Sequence, residues 1–111
     1  MPELSADIAF AEDTARILKV LGHPARLQIV SVLSHVREAH VTGLIGCLEL
    51  PQAIVSQQLA LLRTHGLVTV ERKDGYSWYS LAEPRVARLV RCLEVPVDAP
   101  CPVPESDEHT L

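Results

Sequence analysis

The sequence predicts a mainly α fold, a winged helix-turn-helix in which four helices precede a two-stranded hairpin and a fifth helix follows it. Three observations predict it. The stretch LPQAIVSQQLALLRTHGLVTVERKDGYSWYSL, Leu50 to Leu81, runs from a helical pattern through a glycine stop straight into two β-rich segments. Between those segments stands Asp74-Gly75, the two-residue turn that a twisted hairpin favours because both central positions take positive φ. Three further apolar patterns at helical spacing lie upstream and one lies downstream. With 111 residues the chain makes one domain of modest core, so burial against a second copy would help it.

A first helix, capped by Ser5 or Asp7 and running to about Leu21, carries Ala11, Ala15, Leu18 and Leu21 on one stripe. Gly22 stops it, and Pro24 is placed to start the second. There Ile29, Val32, Leu33 and Val36 fall at i, i+3, i+4 and i+7, with Leu27 and Val30 widening the apolar surface. This helix is expected in the core. Val41 to Leu48 forms a short third helix on Val41, Leu44, Ile45 and Leu48, followed by a tight turn over Glu49 to Gln52. The fourth helix continues to His65, turns Val55, Leu59 and Leu62 inward, and ends at Gly66. The strands are expected at Leu67 to Val70 and Tyr76 to Ser80, with Arg72 and Lys73 at the wing tip. After Ala82 a fifth helix aligns Val86, Leu89, Val90 and Leu93, a stripe with no partner left in so small a fold. Together with the first helix it makes the natural homodimer surface. Residues 1–95 thus form the domain, and 96–111 a proline-rich acidic tail, extended or disordered.

The formal net charge of −4 hides an uneven distribution. All ten Lys and Arg lie between Arg16 and Arg91, where five carboxylates accompany them, while the other nine acids crowd the two ends. A basic body with acidic ends suits contact with nucleic-acid phosphates. No segment reaches the roughly 20 apolar residues of a membrane span, and the start MPELSADIAF has no basic region leading into an apolar run. A cytoplasmic location is expected. Cys47, Cys92 and Cys101 show no Cys-x-x-Cys spacing and read as reduced thiols. An enzyme is disfavoured: the chain has no Gly-rich phosphate loop, no paired carboxylates in an apolar cleft pattern, and no cysteine with an evident base. A protein-interaction module that kept the winged fold without DNA is the remaining class.

The element order, with LKVLGHPARLQIVSVL and the Leu50 to Leu81 stretch, resembles the ArsR/SmtB family of metal-responsive bacterial repressors over roughly Arg16 to Leu93. His23, Pro24, Arg26, Leu27 and Ile29 carry the likeness at the second helix. Ser56, Gln58, Leu59, Leu62, Arg63, Gly66, Leu67 and Val68 carry it further on, and Gly75 and Tyr79 complete it in the wing. The resemblance implies a homodimer on double-stranded operator DNA, its fourth helices in successive major grooves of an imperfect palindrome until an effector binds. Early residues of a recognition helix meet base edges, which marks Gln52, Ala53, Ser56 and Gln57. Glutamine pairs in bidentate fashion with adenine, and Ala53 can touch a thymine methyl. Arg63, Arg72 and Lys73 are placed for phosphates. Each of these also has a plainer reading, as a solvated helix face or a soluble turn. Pro51 departs from the Ser or Asp that the family commonly sets before this helix, and it offers no side-chain oxygen to the cap.

The resemblance also bears on what releases the DNA. Members with the arsenic- or cadmium-type site carry a Cys-Val-Cys where His40, Val41 and Thr42 stand here. Members with the zinc-type site use Asp and His of the fifth helix, and this fifth helix has neither. The end SLAEPRVARLVRCLEVPVDAPC is similar to a cadmium- and lead-sensing branch that places two more cysteines where Leu61 and His65 stand. What remains is Cys92, Cys101 and Cys47. Arsenite and antimonite take two or three thiolates, whereas zinc prefers four ligands including His. Three cysteines and five scattered histidines, His23, His35, His40, His65 and His109, therefore point to As(III), Sb(III) or a Cd/Pb effector held by thiolates. His23 reads as structural, and no histidine is assigned to metal. The tail from Cys92 to Cys101, at ~3.1 Å per residue when extended, can fold back to its own helix or reach the partner's. Cys47 reads first as a small buried hydrophobe beside Leu44 and Leu48 and only second as a third ligand, whereas Cys92, bordering Leu89 and Leu93, reads equally either way. The alternative is a redox or reactive-sulfur sensor in which Cys92 and Cys101 form a disulfide or polysulfide.

Overall fold

A computed structural model describes residues 3–95. The order is α1 (Ile8–Leu21), α2 (Pro24–His35), α3 (Val41–Cys47), α4 (Gln52–Thr64), β1 (Val68–Lys73), β2 (Tyr76–Leu81) and α5 (Pro84–Glu94), the expected winged helix-turn-helix. Among the described residues no helix is long and apolar enough to cross a membrane. The expected tail, with Cys101, lies outside the described residues.

Local chemistry starts and stops the helices. Asp7 rather than Ser5 caps α1, its carboxylate accepting from the Phe10 amide at 3.0 Å. His23 and His40 do the same for α2 and α3, each Nδ1 accepting from the amide of Ala25 or Gly43. The start of α4 follows Pro51 and has no side-chain cap. Its far end is closed by paired bonds: the Gly66 amide donates to the Arg63 carbonyl and the Leu67 amide to the Leu62 carbonyl, with Gly66 at φ +76°. A methyl on Gly66 would meet nothing within 4 Å, so Gly66→Ala isolates the conformational cost. That cost is expected to be about 1–2 kcal/mol, read as a lowered melting temperature; an unchanged melt would contradict it.

The strands pair antiparallel from Val68 opposite Leu81 to Lys73 opposite Tyr76. Asp74 and Gly75 turn at φ 52° and 81°, as the sequence requires. The first strand runs to Lys73 rather than stopping at Val70, because the ladder closes right up to a two-residue turn and carries the charged residues with it. A single-residue bridge adds Ala39 to the other edge of β2, through bonds of 2.9 and 2.8 Å with Tyr79.

At the centre is α2, which packs on α1, α3, α4, α5 and β2. Its Ile29, Val30 and Leu33 meet Leu44, Val55, Leu59, Leu62, Leu67, Val68, Val86 and Val90 in one core. The stripe expected on α1 is corrected. Ile17, Val20 and Leu21 are buried, whereas Ala15 and Leu18 are exposed. Only the last turns of α1 reach the core, and Leu18 instead lines, with Ile17, Val86 and Leu89, an apolar cleft of about 240 Å³ between α1 and α5. Val36, expected on the α2 stripe, is the exposed C-cap, since the chain must leave the helix there to reach the Ala39 bridge. On α5 the expectation of a stripe without a partner is corrected: Val86 and Val90 are buried in the protomer's own core, where α5 packs on α2, Leu89 is half-buried, and Leu93 is left 65% exposed.

Polar ties hold α5 at both ends. Arg85 donates to Glu83 at 2.8 Å and to Asp13 of α1 at 3.2 Å. Arg16 and then Arg85 hold the Asp13 carboxyl below its ordinary pKa. At the other end Glu94 accepts from the Ser31 hydroxyl and lies 2.7 Å from His35 Nε2. Those contacts, the hydroxyl first, lower the Glu94 pKa. The Ser31 part of this tie to α2 is therefore fully present above the ordinary carboxylate range and fades as pH falls through the lowered value.

Candidate nucleic-acid interface

The core claims one side of α4 and leaves another to solvent. Val55, Gln58, Leu59 and Leu62 are buried, and Gln52, Ala53, Ser56, Gln57 and Arg63 are exposed. Gln52 with Ser56, and Ala53 with Gln57, are four apart and therefore neighbours on that surface. The helix contains no carboxylate that would repel a phosphate. Its first two turns thus offer amide and hydroxyl groups that can both donate and accept, the chemistry that distinguishes base edges in a major groove.

The two wing cations differ. Arg72 is exposed, and among the described residues its side chain hydrogen-bonds only to Ser77 Oγ, at 3.4 Å. Lys73 is committed: its ammonium lies 2.6 Å from Glu38 and 5.5 Å over the Trp78 ring. The Glu38 bond is the main cause of its raised pKa. Beside this pair the His40 ring stacks on Tyr76 at 5.0 Å and meets Trp78 edge-on at 4.7 Å. Together with the Ala39 bridge, these contacts fasten the wing to the start of α3. Apolar periodicity does not announce the fastening, although His40 directly before the Val41 stripe occupies a cap position. Also absent from the expected contact set is Gln58, which is buried and accepts a hydrogen bond from Arg26.

The thiols are less closely organised. Cys47 is exposed at the end of α3, which removes the reading of it as a packing residue. Cys92 is half-buried on α5. Among the described residues no three His, Cys, Asp or Glu side chains gather where they could hold a metal ion. His40, at the place of the first cysteine in the arsenic-type pattern, spends its Nδ1 on the α3 cap.

Comparison with known proteins agrees with this geometry. Residues 23–70 match the profile of the bacterial regulatory proteins of the arsR family. Over 83 residues, 74% of this chain and 82% of the relative, the sequence is 39% identical to the transcriptional repressor PagR of Bacillus anthracis. The chain belongs to the ArsR family. The crystal structure of PagR superposes with a TM-score of 0.71 at 34% identity, covering 78% of this chain and 99% of that one. The biofilm growth-associated repressor of Agrobacterium fabrum is 40% identical over 75% of this chain and 70% of its own length. The crystal structure of the AntR antimony-specific transcriptional repressor superposes with a TM-score of 0.68 at 26% identity, over 74% of each chain. This ArsR-family chain is a DNA-binding transcriptional repressor, and its function is binding rather than catalysis.

Proposed function

We propose that this repressor acts in the cytoplasm as a homodimer joined through α1 and α5, reads a palindromic operator with Gln52, Ala53, Ser56 and Gln57, and leaves it when a thiophilic effector engages Cys92 and Cys101. The observation that carries the operator reading is the exposed, carboxylate-free face over the first two turns of α4, with Arg63 of the last turn and Arg72 of the wing also exposed. The apolar cleft between α1 and α5 supports the dimer, because Leu18 and Leu89 leave apolar area there for a second copy to cover. For the effector, trivalent arsenic or antimony suits a small set of thiolates, and AntR, a structural neighbour, is antimony-specific. Cys47, exposed at the end of α3, is the third candidate ligand.

A second reading has its own support. A disulfide or polysulfide switch needs only two thiols, and Cys92 and Cys101 stand nine positions apart in the sequence. Cys92 and Cys101 would oxidise to a disulfide or polysulfide bridge, with a peroxide or inorganic polysulfide taking the two electrons. One titration separates the two readings. Operator binding by the reduced protein is followed while arsenite, antimonite, cadmium or zinc is added, and then while peroxide or polysulfide is added. Release by metalloid alone supports the first reading, and release by oxidant with a mass change at Cys92 supports the second. A Cys92→Ser, Cys101→Ser double variant that still responds fully to every inducer would sink both.

A further inference from the structure

One guanidinium joins three helices. Arg26, on α2, donates through Nε to Gln58 Oε1 at 2.8 Å and through Nη1 to the Val20 carbonyl at 3.0 Å. Val20 lies in the last turn of α1, where carbonyls have no partner within the helix, so the cation also meets the negative end of that helix. Gln58 is the buried polar side chain of the core, 7% exposed, and among the described residues its bond to Arg26 is the one side chain to side chain hydrogen bond that α4 makes.

Resting on the operator reading above, we infer that Arg26 is a positioning residue for DNA recognition, setting the rotation of α4 about its axis and linking it to the end of α1. The need for such a device follows from the rest of α4. Its apolar contacts are non-directional and tolerate small rotations, and its N-terminus has no side-chain cap after Pro51. A helix with its side chains is about 10–12 Å across, so a rotation of roughly 10° moves a tip on the opposite face by about 1 Å. Where that shift runs along a bond to a base edge, it takes about 2.9 Å to about 3.9 Å, beyond the hydrogen-bond range of roughly 3.2 Å for N–H to O, and where it runs across the bond it bends the bond by about 20°. Gln58 follows Gln57 directly, so fixing the first fixes where the second points. Because the same guanidinium holds Val20, a displacement of α1 reaches the reading face through a single side chain.

The test separates position from stability. In the full-length protein, Arg26→Met/Gln58→Met removes both side chains of the Arg26–Gln58 bond together and leaves the Val20 carbonyl without its donor. Its melt should therefore fall by no more than one unpaired acceptor costs, and binding is compared at a temperature where both proteins are folded. The double variant's preference for operator over unrelated duplex should nevertheless fall roughly tenfold, the worth of a hydrogen bond to a charged group, while its salt dependence on unrelated duplex is unchanged. Arg26→Lys, which keeps the charge but cannot reach both acceptors, should lose part of that preference. Gln57→Ala serves as the control on the operator reading itself. If Gln57→Ala leaves operator affinity intact, the α4 reading falls; if it weakens affinity while both Arg26 variants keep the full wild-type preference, the positioning role alone is overturned.

Discussion

Raising monovalent salt from about 50 to 200 mM is expected to weaken operator binding roughly 150-fold. The figure comes from counting cations that no carboxylate neutralises. At the proposed interface Arg63 and Arg72 make no ion pair among the described residues, whereas Lys73 is held by Glu38. A dimer then presents four such groups, and at about 0.9 counterions per phosphate contact a fourfold rise in salt costs about 4 to the power 3.6. Arg72→Ala, present in both protomers, should lower the slope of log affinity against log salt by about 1.8. Lys73→Ala should lower it by much less and instead loosen the wing, because its charge is spent on Glu38 and its stem lies over Trp78. Fluorescence anisotropy with a labelled operator across a salt series measures both slopes. Equal slope losses for the two variants would show that Lys73 leaves Glu38 to bind phosphate, and a flat wild-type slope would remove the phosphate contacts altogether.

That contrast between Arg72 and Lys73 marks where sequence stops informing. Both stand beside the same turn, and nothing in the string RKDG says that one is presented and the other tied down; the difference is made by Glu38, 35 positions away. The fold was legible because its signals are local. Asp74-Gly75 sets the hairpin, Gly66 stops α4, and Ile29, Leu59 and Leu62 fall on the faces that bury them. The α1 stripe misled because Ala11, Ala15 and Leu18 have the spacing of a core face in a helix whose last turns alone reach the core, so spacing could not say which apolar side was inward. The exposed face of α4 was legible by subtraction from its apolar side. Gln58 was not, since a glutamine at an inward position becomes sensible only once Arg26 is seen to satisfy it. Cys92 and Cys47 could be found by composition, but their exposure depends on packing that composition does not carry.

Two leucines separate the stability of the protomer from that of the dimer. Leu59 is fully buried at the middle of α4, and Leu59→Ala is expected to cost about 3 kcal/mol, a lost side chain plus the cavity left behind. In a domain of this size each kcal/mol lowers the melting temperature by about 4–8 °C, so a fall of roughly 12–24 °C is expected, enough to leave little folded repressor for any operator. Leu18 is 51% exposed and lines the cleft between α1 and α5, so Leu18→Asp removes little from the protomer's own core. In a dimer joined through those helices it buries a carboxylate in a cleft whose cation, Arg85, is already held by Glu83 and Asp13, which is far more costly than the lost methyl groups. Sedimentation of the Leu18→Asp variant should therefore show monomers at concentrations where the wild type is dimeric, with a helical signal and melt close to wild type when compared as monomers. Operator affinity should fall with it, because two half-sites are bound tightly only when the second binding event is intramolecular. A variant that stays dimeric and keeps its operator would move the subunit contact away from α1 and α5, while leaving the exposed first two turns of α4 as the reading face.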